Sequence, residues 1–516
     1  MKRRDFLRTG AAATLAAGMD IGKSHAFVPA HNWDGYDFGS GPRVRDRLYQ
    51  GPFPQYKPEQ VLPGSDPVMA TTPSKEILLN YGMGLTVYIS GDIGPPDIPG
   101  QSLLKSIEDL VRLPFAQKIY LRPNWRDIQK RPGRLDFPEY WKIVFDLARQ
   151  TNKRVGFRIM LENPDIPEYG VPDYLADKIP YVKLKGEWRS RRTGIRYSKV
   201  HKMPRYDHPA YQAAFRELNG LLSEGLNGHS SVEYMDTFMY GFWGEGHTWP
   251  FDGHSFPDDV IAEQTFKTMM GTQLEFWTKT PLATNTQPDY SRVGNSELVD
   301  RTIRTHNWLR TDTIFIENTQ IEALSNRPAW TAAVSEQGMS TGDPEALRMN
   351  EGVTRNENLI SHVIDLGANY GSLWNWHNIA ARNILSYYEK YPEPIDHIAR
   401  RIGYRVRPSW IWYFKKGGHP GLVMGFVNDG IAGVPGVLRI TVFSDDGKVH
   451  VSGCLDPGYP KSRGVRQAMF LLPEGADWKG LKVKAEIEVK DVLYPVNWAC
   501  HEKTNKDGSL TLRPNI

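Results

Sequence analysis

The sequence predicts an α/β protein in which a (β/α)8 TIM barrel is followed by a C-terminal all-β sandwich. Three observations favour this fold class. Eight short apolar runs alternate with helical stretches between residues 81 and 400. After about residue 400 the helical periodicity disappears, and short β-like runs are separated by turns such as Asn428-Asp-Gly430. The length of 516 residues also exceeds that of one ordinary domain.

The predicted barrel strands are short runs of β-branched and other apolar residues, and the helices between them carry their apolar residues on one face. Alternation of strand and helix calls for a parallel sheet, and eight repeats close into a barrel. The predicted strands are Gly84–Ser90, Lys118–Pro123, Arg154–Leu161, Met235–Tyr240, Leu282–Thr286, Thr313–Ile316, Trp330–Val334 and Tyr370–Trp374. The predicted helices are Pro138–Arg149, Pro209–Leu226, Pro257–Thr278 and Asn350–Leu366.

The chain divides into four predicted segments. Residues 1–26 form a twin-arginine signal peptide, with Lys2-Arg-Arg-Asp-Phe-Leu7, a short Ala-rich apolar stretch and the small-residue site Ser24-His-Ala26. Residues 27–80 are an extended lead-in, 81–400 the barrel and 401–516 the sandwich. The prediction is a periplasmic or secreted protein that has no membrane anchor after the signal is removed. Capping of the barrel is the expected role of the sandwich, while glycan binding and dimer contacts stay open.

Composition narrows the classes of partner. A chain with 40% apolar and 24% charged residues is typical of a soluble globular protein, and a net charge of +4 does not favour nucleic acid. The charge is uneven, because nine Lys or Arg residues and one acid lie between Lys183 and Arg205. This basic block is either a solvated loop or a surface that attracts an anionic polymer. Cys454 and Cys500 are either a disulfide or two thiols. Neither a metal nor an organic cofactor is expected.

Two glutamates are the candidate catalytic residues. Glu245 lies in Tyr240-Gly-Phe-Trp-Gly-Glu-Gly-His-Thr-Trp249, after the predicted fourth strand, and Glu336 follows the predicted seventh strand. Active sites of TIM barrels are built at the C-terminal ends of the strands. A facing pair of carboxylates cleaves glycosidic bonds with retention of configuration when about 5–5.5 Å separates them. Burial beside a second carboxylate and Trp243 would keep the proton donor protonated.

The sequence also resembles a known group of enzymes. Arg122-Pro-Asn-Trp125 and Arg131-Pro-Gly-Arg-Leu-Asp-Phe137 are similar to the second strand and following loop of clan A glycoside hydrolases, notably the barrel β-galactosidase-like branch. The resemblance spans roughly residues 80 to 390 and singles out no close family. It implies that Glu245 is the acid/base and Glu336 the nucleophile. The clan usually has Asn before the first of these glutamates to hold the sugar 2-hydroxyl, whereas this chain has Gly244.

Further residues complete the predicted site. Arg122 and Arg158 follow the second and third strands, where they either pair with an acid such as Glu162 or Glu245 or hold a sugar hydroxyl, a uronate or a sulfate. Aromatic faces stack on pyranose rings, and the candidate stacking residues are Trp125, Trp243, Trp249, Trp374 and Trp376. The remaining candidate substrate-binding residues are His247, Glu317 and His377. Glu317 is also the alternative nucleophile if the strand count slips by one.

The predicted function is an exported retaining glycoside hydrolase acting on a poly- or oligosaccharide, with an anionic substrate left open. A homo-oligomer is also left open. One alternative is a barrel that binds glycan without cleaving it, which Gly244 favours. Another is a lyase on an anionic polysaccharide, with His247 or Tyr240 as the base beside an arginine. Hydrolysis, elimination and binding alone yield different products, so product analysis separates these alternatives.

Overall fold

A closed parallel barrel and two antiparallel sheets dominate the computed structural model. It describes residues 27–29, 64–89, 94–166, 168–190, 194–286, 295–311, 324–336, 363–372 and 380–514. The strands in chain order are β1 (Phe27–Pro29), β2 (Ser65–Ala70), β3 (Gly84–Tyr88), β4 (Lys118–Leu121), β5 (Arg154–Phe157), β6 (Tyr181–Arg189), β7 (Arg196–Pro204), β8 (Val232–Asp236), β9 (Phe251–Asp252), β10 (Leu282–Asn285), β11 (Trp308–Thr311), β12 (Ala333–Ser335), β13 (Tyr370–Ser372), β14 (Val406–Lys416), β15 (His419–Asn428), β16 (Val437–Phe443), β17 (His450–Cys454), β18 (Val465–Leu471), β19 (Lys482–Val489), β20 (Val492–Val496) and β21 (Leu510–Thr511).

The helices pack around the barrel and follow the predicted pattern where they are described. They are α1 (Leu103–Val111), α2 (Trp125–Ile128), α3 (Glu139–Gln150), α4 (Asp173–Ala176), α5 (Pro209–Leu226), α6 (Asp259–Phe276), α7 (Asn295–Arg304), α8 (Ala381–Lys390) and α9 (Pro392–Ala399). In α3 the apolar positions Trp141, Val144 and Phe145 are buried against the barrel, as their helical spacing predicts. None of the described helices is long and apolar enough to span a bilayer.

The predicted barrel is confirmed. Strands β3, β4, β5, β8, β10, β11, β12 and β13 pair in parallel, in chain order, into a closed barrel. Pairing of β13 with β3, in which Tyr370 lies opposite Gly84, closes the ring of strands. Four aromatic side chains fill the barrel interior, and their rings lie near one another: Tyr120, Tyr234, Trp308 and Tyr370.

Two barrel strands lie earlier in the chain than predicted. The sixth strand is β11, Trp308–Thr311, rather than Thr313–Ile316, which lies outside the described residues. The fourth strand is β8, Val232–Asp236, rather than Met235–Tyr240. Both true strands contain a fully buried charged residue upstream of the predicted start, Arg310 in β11 and Glu233 in β8. A buried charge with its own partner interrupts the apolar run that the prediction followed, so the more apolar residues downstream were chosen.

The predicted C-terminal sandwich consists of two antiparallel sheets. The first has the strand order β1-β18-β15-β14-β2, and the second has the order β17-β16-β19-β20 with β21 also on β19. The lead-in therefore supplies β1 and β2, the two edge strands of the first sheet. The predicted segment boundary near residue 400 falls between α9 and β14.

The sandwich contacts the barrel at the N-terminal ends of the barrel strands. Tyr81, just before β3, stacks on Tyr494 of β20 with 3.6 Å between ring centroids. Arg154, the first residue of β5, lies over the same tyrosine at 4.6 Å. The apolar core of the sandwich is continuous with the aromatic interior of the barrel. This arrangement leaves the opposite end of the barrel, where the strands end, for a site.

The basic block is an antiparallel hairpin rather than a loop. Strands β6 and β7 pair from Tyr181↔Pro204 to Arg189↔Arg196. Strand β9 pairs with the other edge of β6. We call residues 181–204 the basic hairpin. It is inserted between the third and fourth barrel strands, β5 and β8. Its position near the C-terminal ends of these strands brings it to the predicted site.

Both cysteines are free thiols. Burial is the main cause that raises the pKa of the Cys500 thiol to about 12. The disulfide alternative is therefore excluded in this structure.

Candidate active site

Six buried charged side chains gather at the C-terminal ends of the barrel strands. Arg122 and Arg158 come directly after β4 and β5, and Glu336 comes directly after β12. Asp236 is the last residue of β8, and Arg310 lies within β11. The sixth side chain, Glu245, comes from the loop after β8. All six are at most 5% exposed.

Arginines link the two predicted catalytic glutamates. Arg122 Nη1 lies 3.1 Å from Glu245 Oε1 and 3.6 Å from Glu336 Oε1. The two carboxylate oxygens are therefore no farther apart than the sum of these distances. This maximum separation allows the distance of about 5–5.5 Å that retaining glycosidases use. It reaches only the lower end of the range of about 6.5–9.5 Å that inverting glycosidases use.

Asp236 closes these contacts into a ring. Arg158 Nη1 lies 2.7 Å from Glu245 Oε1, and Arg158 Nη2 lies 3.3 Å from Asp236 Oδ2. Arg310 Nη1 lies 2.9 Å from Asp236 Oδ2, and its other terminal nitrogen contacts Glu336. Carboxylates and guanidinium groups thus alternate around a closed circuit, which we call the charge ring. Its members are Glu245, Arg158, Asp236, Arg310, Glu336 and Arg122.

The charge ring is balanced when all of its members are ionised, with three cations and three anions. Balance is needed because an unpaired buried charge is costly. Burial lowers the pKa of Arg310, but the neighbouring Asp236 and Tyr88 outweigh burial and hold that pKa above its usual range. Guanidinium neighbours favour the ionised form of a carboxylate in general. Glu245 has two such neighbours, whereas the sequence analysis expected surroundings that keep it protonated.

Tyrosines from the first two barrel strands, β3 and β4, support the charge ring. Arg310 donates a hydrogen bond of 3.1 Å to the Tyr88 hydroxyl, and the Tyr120 hydroxyl donates to Asp236. Burial is the main cause that raises the pKa of both hydroxyls, so both remain protonated and able to donate.

The loop that carries Glu245 is a compact turn that requires glycine. Phe242 N–H donates to the His247 carbonyl at 2.9 Å, and Gly246 N–H donates to the Tyr240 carbonyl at 3.0 Å. A Cβ at Gly241 would lie 2.0 Å from the His247 carbonyl oxygen, so a side chain cannot be accommodated there. Trp243 adopts a φ of 56°, a left-handed conformation that is costly for a bulky residue and is often found at functional sites.

Arg122, Arg158 and His247 all reach Glu245. The pairing of both arginines with Glu245 is one of the two alternatives left open by the sequence. His247 Nε2 lies 3.6 Å from Glu245 Oε2. Trp243 is buried beside them, with its ring 5.6 Å from the His247 ring.

The predicted stacking residues have different surroundings. Trp125 is fully buried, packs edge-on against Tyr211 and donates its indole N–H to Gln129 at 2.7 Å, so it is a core residue with no face open to a sugar. Trp249 is 61% exposed and has a face available. Four further predicted residues lie outside the described residues: Glu317, Trp374, Trp376 and His377.

Sequence analysis missed Asp236 and Arg310. The available signal was a charged residue inside each of two short apolar stretches, Tyr234-Met-Asp236 and Leu309-Arg-Thr311. Charges are almost never fully buried unless they are paired. A charge within a predicted barrel strand therefore points to the barrel interior or its mouth.

A second buried pair joins the basic hairpin to the Glu245 loop. His201 Nε2 lies 2.7 Å from Glu162 Oε2, which also accepts a hydrogen bond of 2.8 Å from Gly170 N–H. The Glu162 carbonyl accepts a hydrogen bond of 2.8 Å from Trp243 N–H. The Trp188 ring of the hairpin also packs 5.9 Å from the Trp243 ring. The Glu162–His201 pair therefore connects the basic hairpin to the loop that carries Glu245, and we call this pair the anchor.

This anchor predicts a pH dependence of stability. Burial raises the pKa of the Glu162 carboxyl, with His201 acting in the opposite direction. Because the folded-state pKa is raised, this residue favours folding most below the ordinary Glu value of about 4.3 and loses that contribution as pH rises through the folded-state value. The unfolding midpoint of the wild type should therefore fall relative to that of Glu162→Gln between pH 4 and 7. A constant difference between the two proteins, measured by thermal unfolding across this range, would contradict the assignment.

Comparison with known proteins shows similarity in architecture only. No family model matches this chain, and no curated protein sequence matches it. A family 39 glycoside hydrolase from the gut symbiont Bacteroides cellulosilyticus WH2 is similar at 9% identity over 77% of this chain and 81% of its own, with a TM-score of 0.36. Endo-glycoceramidase II from Rhodococcus sp. is similar at 11% identity over 76% and 96%, with a TM-score of 0.36. The β-galactosidase from Rahnella sp. R3 is similar at 11% identity over 66% and 59%, also with a TM-score of 0.36.

These structures include one named as a glycoside hydrolase, the group that the sequence resembles, and they single out no particular family. At such identities and TM-scores the similarity carries no inference about what this chain binds or cleaves.

Proposed function

We propose that this chain is a retaining glycoside hydrolase, exported by means of its twin-arginine sequence, that cleaves a poly- or oligosaccharide. The observation that carries the proposal is the pair of buried carboxylates, Glu245 and Glu336, which one nitrogen of Arg122 holds at 3.1 and 3.6 Å. A pair at this spacing fits double displacement at an anomeric carbon.

Glu336 is the proposed nucleophile. Arg310 and Arg122 both contact its carboxylate and stabilise the ionised form that attacks carbon. In the first step Glu336 forms an ester bond to the anomeric carbon as the glycosidic C–O bond breaks. The leaving oxygen takes a proton from Glu245. In the second step water attacks the anomeric carbon, gives its proton to Glu245 and releases Glu336 as a carboxylate.

Glu245 is the proposed acid/base, and the charge ring constrains how it works. Arg158 and Arg122 hold its Oε1, and His247 Nε2 lies 3.6 Å from its Oε2. The neighbouring guanidinium groups favour the carboxylate, which is the form needed as the base in the second step. Esterification of Glu336 removes one negative charge from the ring and strengthens that preference. Glu245 must be protonated before the first step. Its protonation leaves the charge ring with one more positive than negative charge.

Gly244 stands where clan A glycoside hydrolases usually have Asn, but it leaves the two catalytic carboxylates in place. The residue has a φ of 76°, and a Cβ there would lie 3.2 Å from the Cβ of Phe238. This position therefore supplies no side chain to hold a sugar 2-hydroxyl. We infer that a different residue holds that hydroxyl, or that the reaction proceeds without such a contact.

Product analysis tests the proposal. Purified protein incubated with a panel of plant, algal and bacterial glycans should release new reducing ends. The first-formed product should keep the anomeric configuration of the substrate, which NMR resolves before mutarotation. An unsaturated product that absorbs in the ultraviolet would indicate a lyase instead. Tight glycan binding without any new product would indicate a non-catalytic barrel. Inversion of configuration would overturn the retaining mechanism and leave hydrolysis intact.

A further inference from the structure

The outer face of the basic hairpin carries several exposed cations. Side chains alternate between the two faces of a strand. On β6 the inner face carries Leu184 and Trp188, which are buried. The outer face carries the exposed cations Lys183, Lys185 and Arg189, with the exposed acid Glu187 between the last two. These three cations span about 20 Å of strand at roughly 3.3 Å per residue.

Like charges lie directly opposite each other across this hairpin. Lys183 faces Lys202, and Arg189 faces Arg196. Such cross-strand pairs destabilise a sheet. Glu168 offsets Lys202 and Glu187 offsets Arg196, the latter at 3.7 Å.

Two lysines on this face are not offset in the same way. Among the described residues, Lys183 and Lys185 form no ion pair with an acid, although Asp252 of β9 lies opposite Lys185 in the sheet register. The exposed positive charge of these two lysines is therefore available to an anionic ligand.

An exposed aromatic residue lies just before β9, the strand that pairs with β6, and four residues after Glu245. The loop that carries Glu245 continues through Trp249 into β9, which pairs with β6 at Gly186↔Phe251. Trp249 is 61% exposed, whereas Phe251 beyond it is buried. An exposed indole suits the apolar face of a sugar ring, and nearby ammonium and guanidinium groups suit its acidic substituents.

We propose that the outer face of the basic hairpin, with Trp249, binds an anionic polysaccharide and directs it to the charge ring. Lys183, Lys185 and Arg189 contact its carboxylate or sulfate groups, and Trp249 stacks on a sugar ring close to the point of cleavage. The charge ring cannot supply this recognition, because its three guanidinium groups are already balanced by three carboxylates. This inference rests on the proposed function, since it names the substrate class for the same site.

Binding measurements with matched polymers test the proposal. The probes are dextran sulfate against dextran, and polygalacturonate against its methyl ester, so that sulfate and carboxylate sources are separated from the sugar backbone. Binding is measured in a Glu336→Gln background, which prevents turnover of the polymer. At least one anionic polymer should bind while its neutral partner does not, and added salt should weaken the binding because it screens exposed charges.

Charge reversal identifies the binding face. Lys183→Glu with Lys185→Glu should weaken binding of the anionic polymer by about tenfold or more, and Trp249→Ala should weaken it separately. The control is Lys448→Glu with Lys479→Glu, two exposed lysines of the sandwich that give the same change in net charge. Equal weakening by the control would overturn the proposal, because only overall charge would then matter. Unchanged binding by the hairpin variant would overturn it as well.

Failure of this inference can be told apart from failure of the proposed hydrolysis. Release of reducing ends from neutral glycans alone, with no binding to either anionic polymer, would overturn the anionic substrate and leave the hydrolase intact. Binding that depends on the hairpin, without reducing ends from any glycan, would support the binding face and overturn the hydrolase.

Discussion

Glu336→Gln should reduce kcat/KM for glycan hydrolysis by about 10⁴-fold or more, as expected when a covalent nucleophile is removed. The amide keeps the shape of the side chain but cannot form the ester intermediate. It also leaves Arg310 and Arg122 without one of their counter-charges. Rates are measured as release of reducing ends from the best glycan found in the panel. Thermal unfolding of the variant confirms that the loss is chemical rather than a failure to fold.

Glu317→Gln is the matched control for this experiment, since Glu317 is the other nucleophile left open by the sequence. The account expects that substitution to leave most of the activity. A second arm uses Glu336→Gly with added azide, which should enter the vacated space and attack the anomeric carbon. The product should then be a glycosyl azide of inverted configuration. Full activity of Glu336→Gln would contradict the assignment of Glu336 as nucleophile. Loss of activity only in Glu317→Gln would make Glu317 the nucleophile instead.

Arg310→Met should cost more stability than any exposed arginine substitution and should abolish hydrolysis. Arg310 is fully buried and contacts both Asp236 and Glu336. Removing one partner from a buried ion pair typically costs about 3–5 kcal/mol, because the remaining charge stays buried without compensation. The orientation of Glu336 would be lost at the same time. Chemical denaturation and kcat/KM measure the two effects.

Two further variants separate charge balance from catalysis. Arg310→Met combined with Asp236→Asn restores equal numbers of cations and anions in the charge ring, so it should recover part of the stability and none of the activity. Arg216→Met removes an exposed arginine that pairs with Glu275, and it should change stability little. If Arg310→Met unfolds no more easily than Arg216→Met, the charge ring does not have the energetic role assigned to it.

Much of the fold could be predicted because its determinants are local. Apolar runs of strand length and one-sided helices specify the alternation that closes into a barrel. The prediction failed where a long-range contact changed what a residue does. Arg310 can lie inside a strand only because Asp236 and Glu336, distant in sequence, neutralise it. Trp125 became a core residue because Tyr211 of α5 packs against it.

The position of the candidate site could be predicted for the same reason. Glu245 and Glu336 follow barrel strands, and the fold class places such residues at one end of the barrel. Their neighbours could not be read from the chain, since each contact in the charge ring joins different strands. The basic block was equally ambiguous. A run of cations does not show that alternate side chains face inward, as Trp188 does when it packs against Trp243.

The assignment of Glu336 as nucleophile can be tested directly by trapping the covalent intermediate. A Glu245→Gly variant lacks the base that releases the glycosyl group, so the intermediate should accumulate when the leaving group needs no proton. The variant is incubated with the activated aryl glycoside that the wild type cleaves fastest, and the digested protein is mapped by mass spectrometry. The account predicts one glycosyl group attached to Glu336. Attachment to Glu317, or turnover without any adduct, would contradict it.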